Sequence, residues 1–221
     1  MKTSGVKTVM FMSESGIEVM SYSDGKGGCS VGEHFTQPLE AGVIANGVVA
    51  IPGALVQHLS QIKKTRPSLA ENVSLVVDSN LINVKRITAP KLKKNEYQQL
   101  AYDEMAESVG SDAGVICGFD FVNPKSADST LFICGAERSI VEGFIDAFKQ
   151  AEIPLTSITV SVDGVINFVK TKTDLAKKTF IVNIVDRVNM LSIFFNEGEY
   201  LFSTRTRLLS EDITQNSIPI L

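Results

Sequence analysis

Leu131-Phe132-Ile133-Cys134-Gly135-Ala136-Glu137-Arg138 is an apolar run that breaks at a turn of small residues, and Ile140, Val141, Phe144, Ile145 and Phe148 follow it at helical spacing. Apolar side chains recurring every three or four positions line one face of a helix, so the stretch reads as a strand feeding an amphipathic helix over 140–151. Pro154 stops that helix, and Ile158 to Val162 reads as the next strand. Upstream, Val115 to Val122 is a strand joined to the run at Thr130 by the polar segment Asn123-Pro124-Lys125-Ser126-Ala127-Asp128. Residues 95–109 place Tyr97, Leu100, Ala101 and Met105 on one helical face and Glu96, Asp103, Glu104 and Glu107 on others, with Gly110 and Gly114 at the exit. Leu81 to Ile87 is a strand that ends at Pro90. The order over 81–162 is therefore β-α-β-β-α-β, the split arrangement that predicts one antiparallel sheet with both helices on a single face.

Working outward, Val6 to Met12 and Ile17 to Tyr22 are β-prone runs separated by Ser13-Glu14-Ser15-Gly16, which predicts an opening hairpin. Asp24-Gly25-Lys26-Gly27-Gly28 reads as a flexible turn, and Asn46-Gly47 between two short apolar segments predicts a second hairpin with a type I′ turn. Pro52 suits a helix start, and Leu55, Leu59 and Ile62, broadened by Val56, give that helix its apolar stripe before Lys63-Lys64-Thr65-Arg66-Pro67 closes it. Val73 to Val77 is a buried strand. Beyond the central block, 163–171 predicts a short helix with Val165, Phe168 and Val169 inward. Three strands follow at 180–185, 190–195 and 200–206, the last two joined by Asn196-Glu197-Gly198-Glu199, and the tail from Leu209 begins a helix that meets Pro219.

Composition removes several function classes. With 25 acidic against 21 basic residues the net charge is −4, the wrong sign for a protein that must neutralise many phosphates, so nucleic acid is not an expected partner. Cys29, Cys117 and Cys134 are odd in number and widely spaced, which fits neither a disulfide framework nor a thiolate zinc site and points to reducing cytosol. Cys117 and Cys134 sit in apolar strands as small core residues, and Cys29 is the candidate exposed thiol. His34 and His58 lack any metal-ligand spacing or a nucleophile motif around them, so neither metal catalysis nor a Ser-His-Asp hydrolase is expected. The glycine-rich 24–28 stretch lacks the spacing of a phosphate loop. No run reaches the roughly 20 apolar residues of a membrane span. Between Lys63 and Lys94 lie Lys63, Lys64, Arg66, Lys85, Arg86, Lys91, Lys93 and Lys94 against Glu71 and Asp78, while the next helix is acidic. Such adjacent opposite fields suit either a solvated surface or a docking face.

Three stretches together resemble the PilM family of type IV pilus assembly proteins: Gly42-Val43-Ile44-Ala45-Asn46-Gly47-Val48-Val49-Ala50-Ile51-Pro52-Gly53-Ala54-Leu55, then 131–138 with the helix and strand after it, and Phe180 to Arg207. The resemblance implies a mixed α/β (α+β), actin-like or FtsA-like fold of the RNase H-like kind. Subdomain 1A would span 1–80 and 163–176 with its first strand missing, 81–162 would be an inserted subdomain 1C, and 177–221 would begin subdomain 2A. Such a fold holds ATP and Mg²⁺ on two loops of Asp-x-Gly character. By resemblance Thr3-Ser4-Gly5-Val6-Lys7 is only the outgoing half of the first loop. Asn183-Ile184-Val185 stands where the second is expected, with Asp186 as a nearby substitute. Asn183 lacks the carboxylate, and the β-branched Val185 obstructs the backbone approach that glycine allows, so no cofactor is expected unless a longer chain supplies one. The resemblance thus implies a non-catalytic cytoplasmic adaptor, peripheral to the inner face of the membrane. It would bind a peptide of a PilN-like inner-membrane protein, and a pilus assembly ATPase is a further partner implied. Tyr97, Tyr102, Asp103 and Glu104 are the candidate peptide-binding residues at the start of the insertion. The alternatives are an actin-like ATPase in full-length form and the cytoplasmic domain of a type II secretion L protein.

Overall fold

Alternation of buried and exposed side chains along Lys7–Met12 sets the first strand, β1, and a turn over Ser13–Ser15 returns the chain as β2 (Gly16–Gly25). The structure, a computed structural model, describes residues 7–25, 28–110, 114–123, 128–186 and 189–208. A third strand, β3 (Gly28–Pro38), pairs with β2, and β4 (Ile44–Ala45) and β5 (Val48–Val49) form the small hairpin around Asn46 and Gly47, whose φ angles of 53° and 73° match the expected turn. Helix α1 (Pro52–Thr65) starts on its proline and buries Leu55, Leu59 and Ile62. A short 3-10 turn over Pro67–Ala70 leads into β6 (Val73–Val77). Next come β7 (Asn83–Ala89), α2 (Lys94–Val109), β8 (Val115–Asn123), β9 (Ser129–Glu137), α3 (Arg138–Gln150), β10 (Leu155–Val160) and α4 (Ser161–Lys170). The last three strands are β11 (Phe180–Asp186), β12 (Asn189–Asn196) and β13 (Glu199–Arg207).

The main sheet has the order β10-β6-β1-β2-β3, with β1 antiparallel to β2 but parallel to β6, and β6 parallel to β10. This corrects one expectation. β10 does not join the strands of the β-α-β-β-α-β block. It pairs with β6, and only β7, β9 and β8 make the smaller sheet, in that order. Sequence order alone cannot distinguish a strand that returns to its own block from one that returns to the parent sheet, and β6 offered β10 a free parallel edge beside a helix, α3, packed against α1. β1 occupies the centre of the main sheet between β2 and β6, and the turn after Met12 leads from it into β2. Residues 3–6 of the expected loop, and the tail from Leu209, lie outside the described residues.

Met10, Met12, Leu55, Leu75, Phe144, Phe148 and Val162 belong to one core that continues through Ile193, Phe195 and Tyr200 of the β11-β12-β13 sheet. The inserted strands have a second core of Tyr97, Ala101, Met105, Val115, Leu131 and Ile133, built where α2 covers their sheet. Each such buried large side chain contributes about 1.5–3 kcal/mol, as an upper estimate. The turn expected at the small residues does not form, because β9 continues through Gly135 to Glu137; Gly135 instead faces α2 so closely that an added Cβ would stand 2.7 Å from Met105. Glu96 accepts a 2.6 Å hydrogen bond from the Lys93 amide at the start of α2, and Gly110 ends it in the left-handed region at φ 61°. α4 forms where expected, but Phe168 is 58% exposed while Val162, Ile166 and Val169 are buried, so the helix is rotated from its expected inward face. Cys117 and Cys134 are half-buried and Cys29 exposed; burial pushes the Cys134 thiol up to about 11.

Candidate functional site

The parallel strands β1, β6 and β10 end together, and ligands of open α/β sheets bind outside such carboxyl ends. Here the ends open into a cavity of about 220 Å³, lined on one side by Ser13, Glu14 and Asp78 and on the other by Asp186, Asn189 and Arg205. The Asn46-Gly47 turn reaches its rim. Glu14 accepts a 2.6 Å hydrogen bond from the Asn46 amide, and Ser79 donates its hydroxyl to the Asn46 carbonyl at 2.7 Å.

Two links cross the cavity. Ser15, in the turn after β1, donates to a carboxylate oxygen of Asp186, at the end of β11, at 2.9 Å. Arg205 on β13 engages Asp78 beyond β6 through both terminal nitrogens at 2.5 Å, and Ser161 at the start of α4 donates to the same carboxylate at 2.5 Å. A bidentate guanidinium–carboxylate pair fixes orientation as well as charge. The carboxylates of Asp78 and Asp186 and the guanidinium of Arg205 are, as arranged here, engaged by protein groups. The turn after β1 reads Ser13-Glu14-Ser15-Gly16 and the sequence from the end of β11 reads Asp186-Arg187-Val188, so neither carries Asp-x-Gly. Among the described residues no cluster of three or more His, Cys, Asp or Glu side chains is placed to hold a metal ion, and no helix is long and apolar enough to cross a membrane.

Asn183 and Val185 stand inside β11 rather than at a turn, paired with Ser192 and Met190 of β12. Asn183 accepts a hydrogen bond from Ser192 at 2.7 Å, and Val185 is 59% exposed. Of the three residues expected at the second loop, only Asp186 lines the cavity of the two links. The expected peptide-binding group also divides. Tyr97 is buried at 4% exposure, its ring edge-on to Phe121 at 5.3 Å, its hydroxyl 2.6 Å from that of Ser129 and bonded by the Leu92 amide at 2.9 Å. It belongs to the inserted core because a tyrosine at the inward helical position finds both apolar contact and polar partners there. Tyr102 is 43% exposed, Asp103 accepts from Gln99 at 2.8 Å, and Glu104 pairs with Lys85. Half of the basic stretch is paired in place: Lys63 with Glu152, Arg66 with Glu33, Lys85 with Glu104 and Arg86 with Glu199. Sequence reasoning missed Asp78, Ser161 and Arg205, whose partners are far apart in the chain and carry no local motif.

No protein-family model matches the sequence, and no curated protein matches it. Solved structures do. The chain has the mixed α/β architecture of the actin-like ATPase fold, as in a protein of that fold and unknown function from Bacteroides thetaiotaomicron, at TM-score 0.59 and 11% identity, covering 95% of this chain and 72% of that one. It is similar over the same 95% of its length to a chain of the PilM-PilN type IV pilus biogenesis complex, at TM-score 0.80 and 17% identity. The chain spans 63% of the length of that structure, less than two thirds. The cytoplasmic domain of EpsL, an inner-membrane component of the type II secretion system of Vibrio cholerae, matches at TM-score 0.51 and 12% identity over 91% of this chain and 71% of its own.

Proposed function

We propose that this chain is the peptide-binding part of a non-catalytic adaptor in a type IV pilus assembly machine. The observation that supports it is the similarity of nearly the whole chain to a structure solved as a PilM-PilN complex. On this reading a PilN-like inner-membrane protein supplies a short cytoplasmic segment, and the adaptor is held at the inner face of the membrane through it. The main sheet corresponds to subdomain 1A, the β7-β9-β8 sheet with α2 to a reduced 1C, and the strands from β11 onward to the start of 2A. The peptide lies against the insertion near Tyr102 and Asp103, with Tyr97 supporting from within.

The cleft supports the absence of catalysis. Asp186 and Asp78 are each engaged by protein donors, and the sequence Asp186-Arg187-Val188 has valine where an Asp-x-Gly motif has the glycine that lets a phosphate approach the backbone. The test is titration calorimetry of the purified chain with the N-terminal peptide of the PilN-like protein encoded nearby. Binding with a micromolar dissociation constant is expected, and no binding at millimolar peptide overturns the proposal. A second reading, an ATPase in a longer chain, is favoured by the position of Asp186 opposite the Ser13–Gly16 turn. Mg-ATP binding by such a chain that is lost in Asp186→Ala would establish it. The EpsL likeness supports a third, a type II secretion component, which an encoded membrane span downstream would favour.

A further inference from the structure

β3 is the edge of the main sheet, and its outer side pairs with no strand among the described residues. At 11 residues it is long for an edge, it contains no lysine, and its proline stands at its last position. Proteins ordinarily protect such edges with short strands, lysines or internal prolines, because unpaired backbone groups template another strand. The pairing to β2 identifies the groups that face outward. Leu39 donates its amide to Ser15, and an antiparallel ladder alternates. Phe35 and Gln37 therefore turn their backbone groups to β2, while His34 and Thr36 turn theirs away from it.

α1 is fastened to β3 from its middle, at His58, and from the residue that follows its last turn, Arg66. The His58 ring nitrogen Nδ1 is 3.3 Å from the Gln37 side-chain amide, and Arg66 pairs with Glu33 at 2.5 Å while lying 4.0 Å over the Phe35 ring. Between strand and helix lies an open groove of about 470 Å³ whose lining includes Gln37, Ile51, Ala54, Gln57 and Gln61. Ile51 is an exposed apolar side chain at 49%. Glu40 also lines the groove with its side chain 71% exposed, and its hydrogen bond to His58 at 2.6 Å holds the carboxyl below the usual range, so the groove presents a carboxylate at its open side.

We propose that the free edge of β3 and the groove beside α1 form a second peptide site, which accepts an extended segment of another protein as an added strand. The added strand bonds to the outward groups of His34 and Thr36, seats a small apolar side chain against Ile51 and Ala54, and brings a lysine or arginine to Glu40. Strand addition gives affinity through main-chain bonds, and a flanking groove gives selectivity through alternate side chains. This site lies wholly on the main sheet and α1, away from the insertion, and does not depend on the adaptor reading.

The experiment pans a phage-displayed library of random nine-residue peptides on the chain, and measures enriched peptides by fluorescence anisotropy on two variants. Thr36→Pro removes one outward donor from an edge strand, where proline is tolerated, and Gln57→Arg leaves the ladder untouched while opposing a basic ligand. Peptides with a basic residue and alternating apolar positions are expected, each variant binding them at least tenfold more weakly with unchanged melting temperature. If Thr36→Pro lowers the melting temperature, Gln57→Arg alone decides. No enrichment, or equal binding by a folded variant, overturns the proposal. So does a dimeric wild type made monomeric by Thr36→Pro, because the occupant is then a second copy. A PilN-type peptide binding in both variants as in wild type leaves the adaptor reading intact whatever the panning returns.

Discussion

Asp78 and Arg205 meet across the cleft, both guanidinium nitrogens 2.5 Å from the two carboxylate oxygens, and so join the end of β6 to β13. The side chains are 19% and 25% exposed, so neither is fully solvated and neither is deeply desolvated. Removing one partner leaves the other charge half-buried. Arg205→Ala is expected to cost about 2 kcal/mol in urea denaturation. Arg205→Lys recovers less than half of that because lysine cannot bond bidentately. The double variant with Asp78→Ala should cost less than the sum of the single ones, and strict additivity would show that the pair is not coupled.

Tyr97 and Tyr102 separate packing from recognition on one helix. Tyr97→Phe keeps the ring against Phe121 but strips the hydroxyl from Ser129 and the Leu92 amide, at an expected cost of about 1–2 kcal/mol in melting experiments. Tyr102→Ala lies on the exposed side and should change stability by no more than about 0.5 kcal/mol. In calorimetry with the PilN-like peptide the order reverses, with affinity falling at least fivefold for Tyr102→Ala and unchanged for Tyr97→Phe.

Gly47 has φ 73°, and a Cβ there would stand 2.3 Å from the Asp78 carbonyl oxygen and 2.4 Å from the Ser79 side chain. Both the backbone conformation and the space exclude a side chain. Gly47→Ala is expected to destabilise by about 2–4 kcal/mol. It should also increase hydrogen exchange of the Asn46 amide, which Glu14 holds.

Asp163 sits in the first turn of α4, where burial pushes its carboxyl above the usual aspartate range despite hydrogen bonds from Thr159 at 2.9 Å and Asn167 at 3.2 Å. Asp120 adds to the rise and Lys170 opposes it. A raised folded-state value means the native state binds the proton more tightly than the unfolded chain does, so this group disfavours folding at neutral pH and ceases to do so as pH falls below its unfolded value. Asp163→Asn should therefore be more stable than the wild type at pH 7, with the gap closing as pH is lowered through the ordinary aspartate range. A gap that widened on acidification would contradict the burial.

Much of the fold was legible because it is written in local periodicity. The stripe of Leu55, Leu59 and Ile62 and the Asn46-Gly47 turn each carry their own signal, and both formed where they were expected, whereas the turn expected at Gly135 did not, since β9 runs through it to Glu137. β3 was not legible: Gly28–Pro38 mixes Gly32, Glu33, His34 and Thr36 without apolar alternation, and it is held by the neighbouring β2 rather than by its own composition. The destination of β10 was hidden for a related reason, since pairing with β6 rather than with β7 or β8 is a choice between distant edges. In the cleft, Asp186 was reached through the resemblance of 180–207 to a family whose second loop is expected there, as a neighbour of Asn183 and Val185. Asp78 and Arg205 were not, because a salt bridge between residues 78 and 205 leaves no trace in spacing. The exposed half of the acidic helix was readable, but the inward direction of Tyr97 overrode its aromatic promise as a contact residue.

The central place of β1 constrains how the molecule assembles during synthesis. β2 can meet β1 as soon as it emerges, but the parallel neighbour β6 requires the chain to reach Val73, and β10 extends the sheet only once Leu155 is available. Between those two events the ribosome delivers β7, α2, β8 and β9, which carry their own core. The insertion can thus mature as an independent unit while the parent sheet still waits with an open flank on β6, and that interval is when the nascent protein is most exposed to aggregation and most dependent on chaperones.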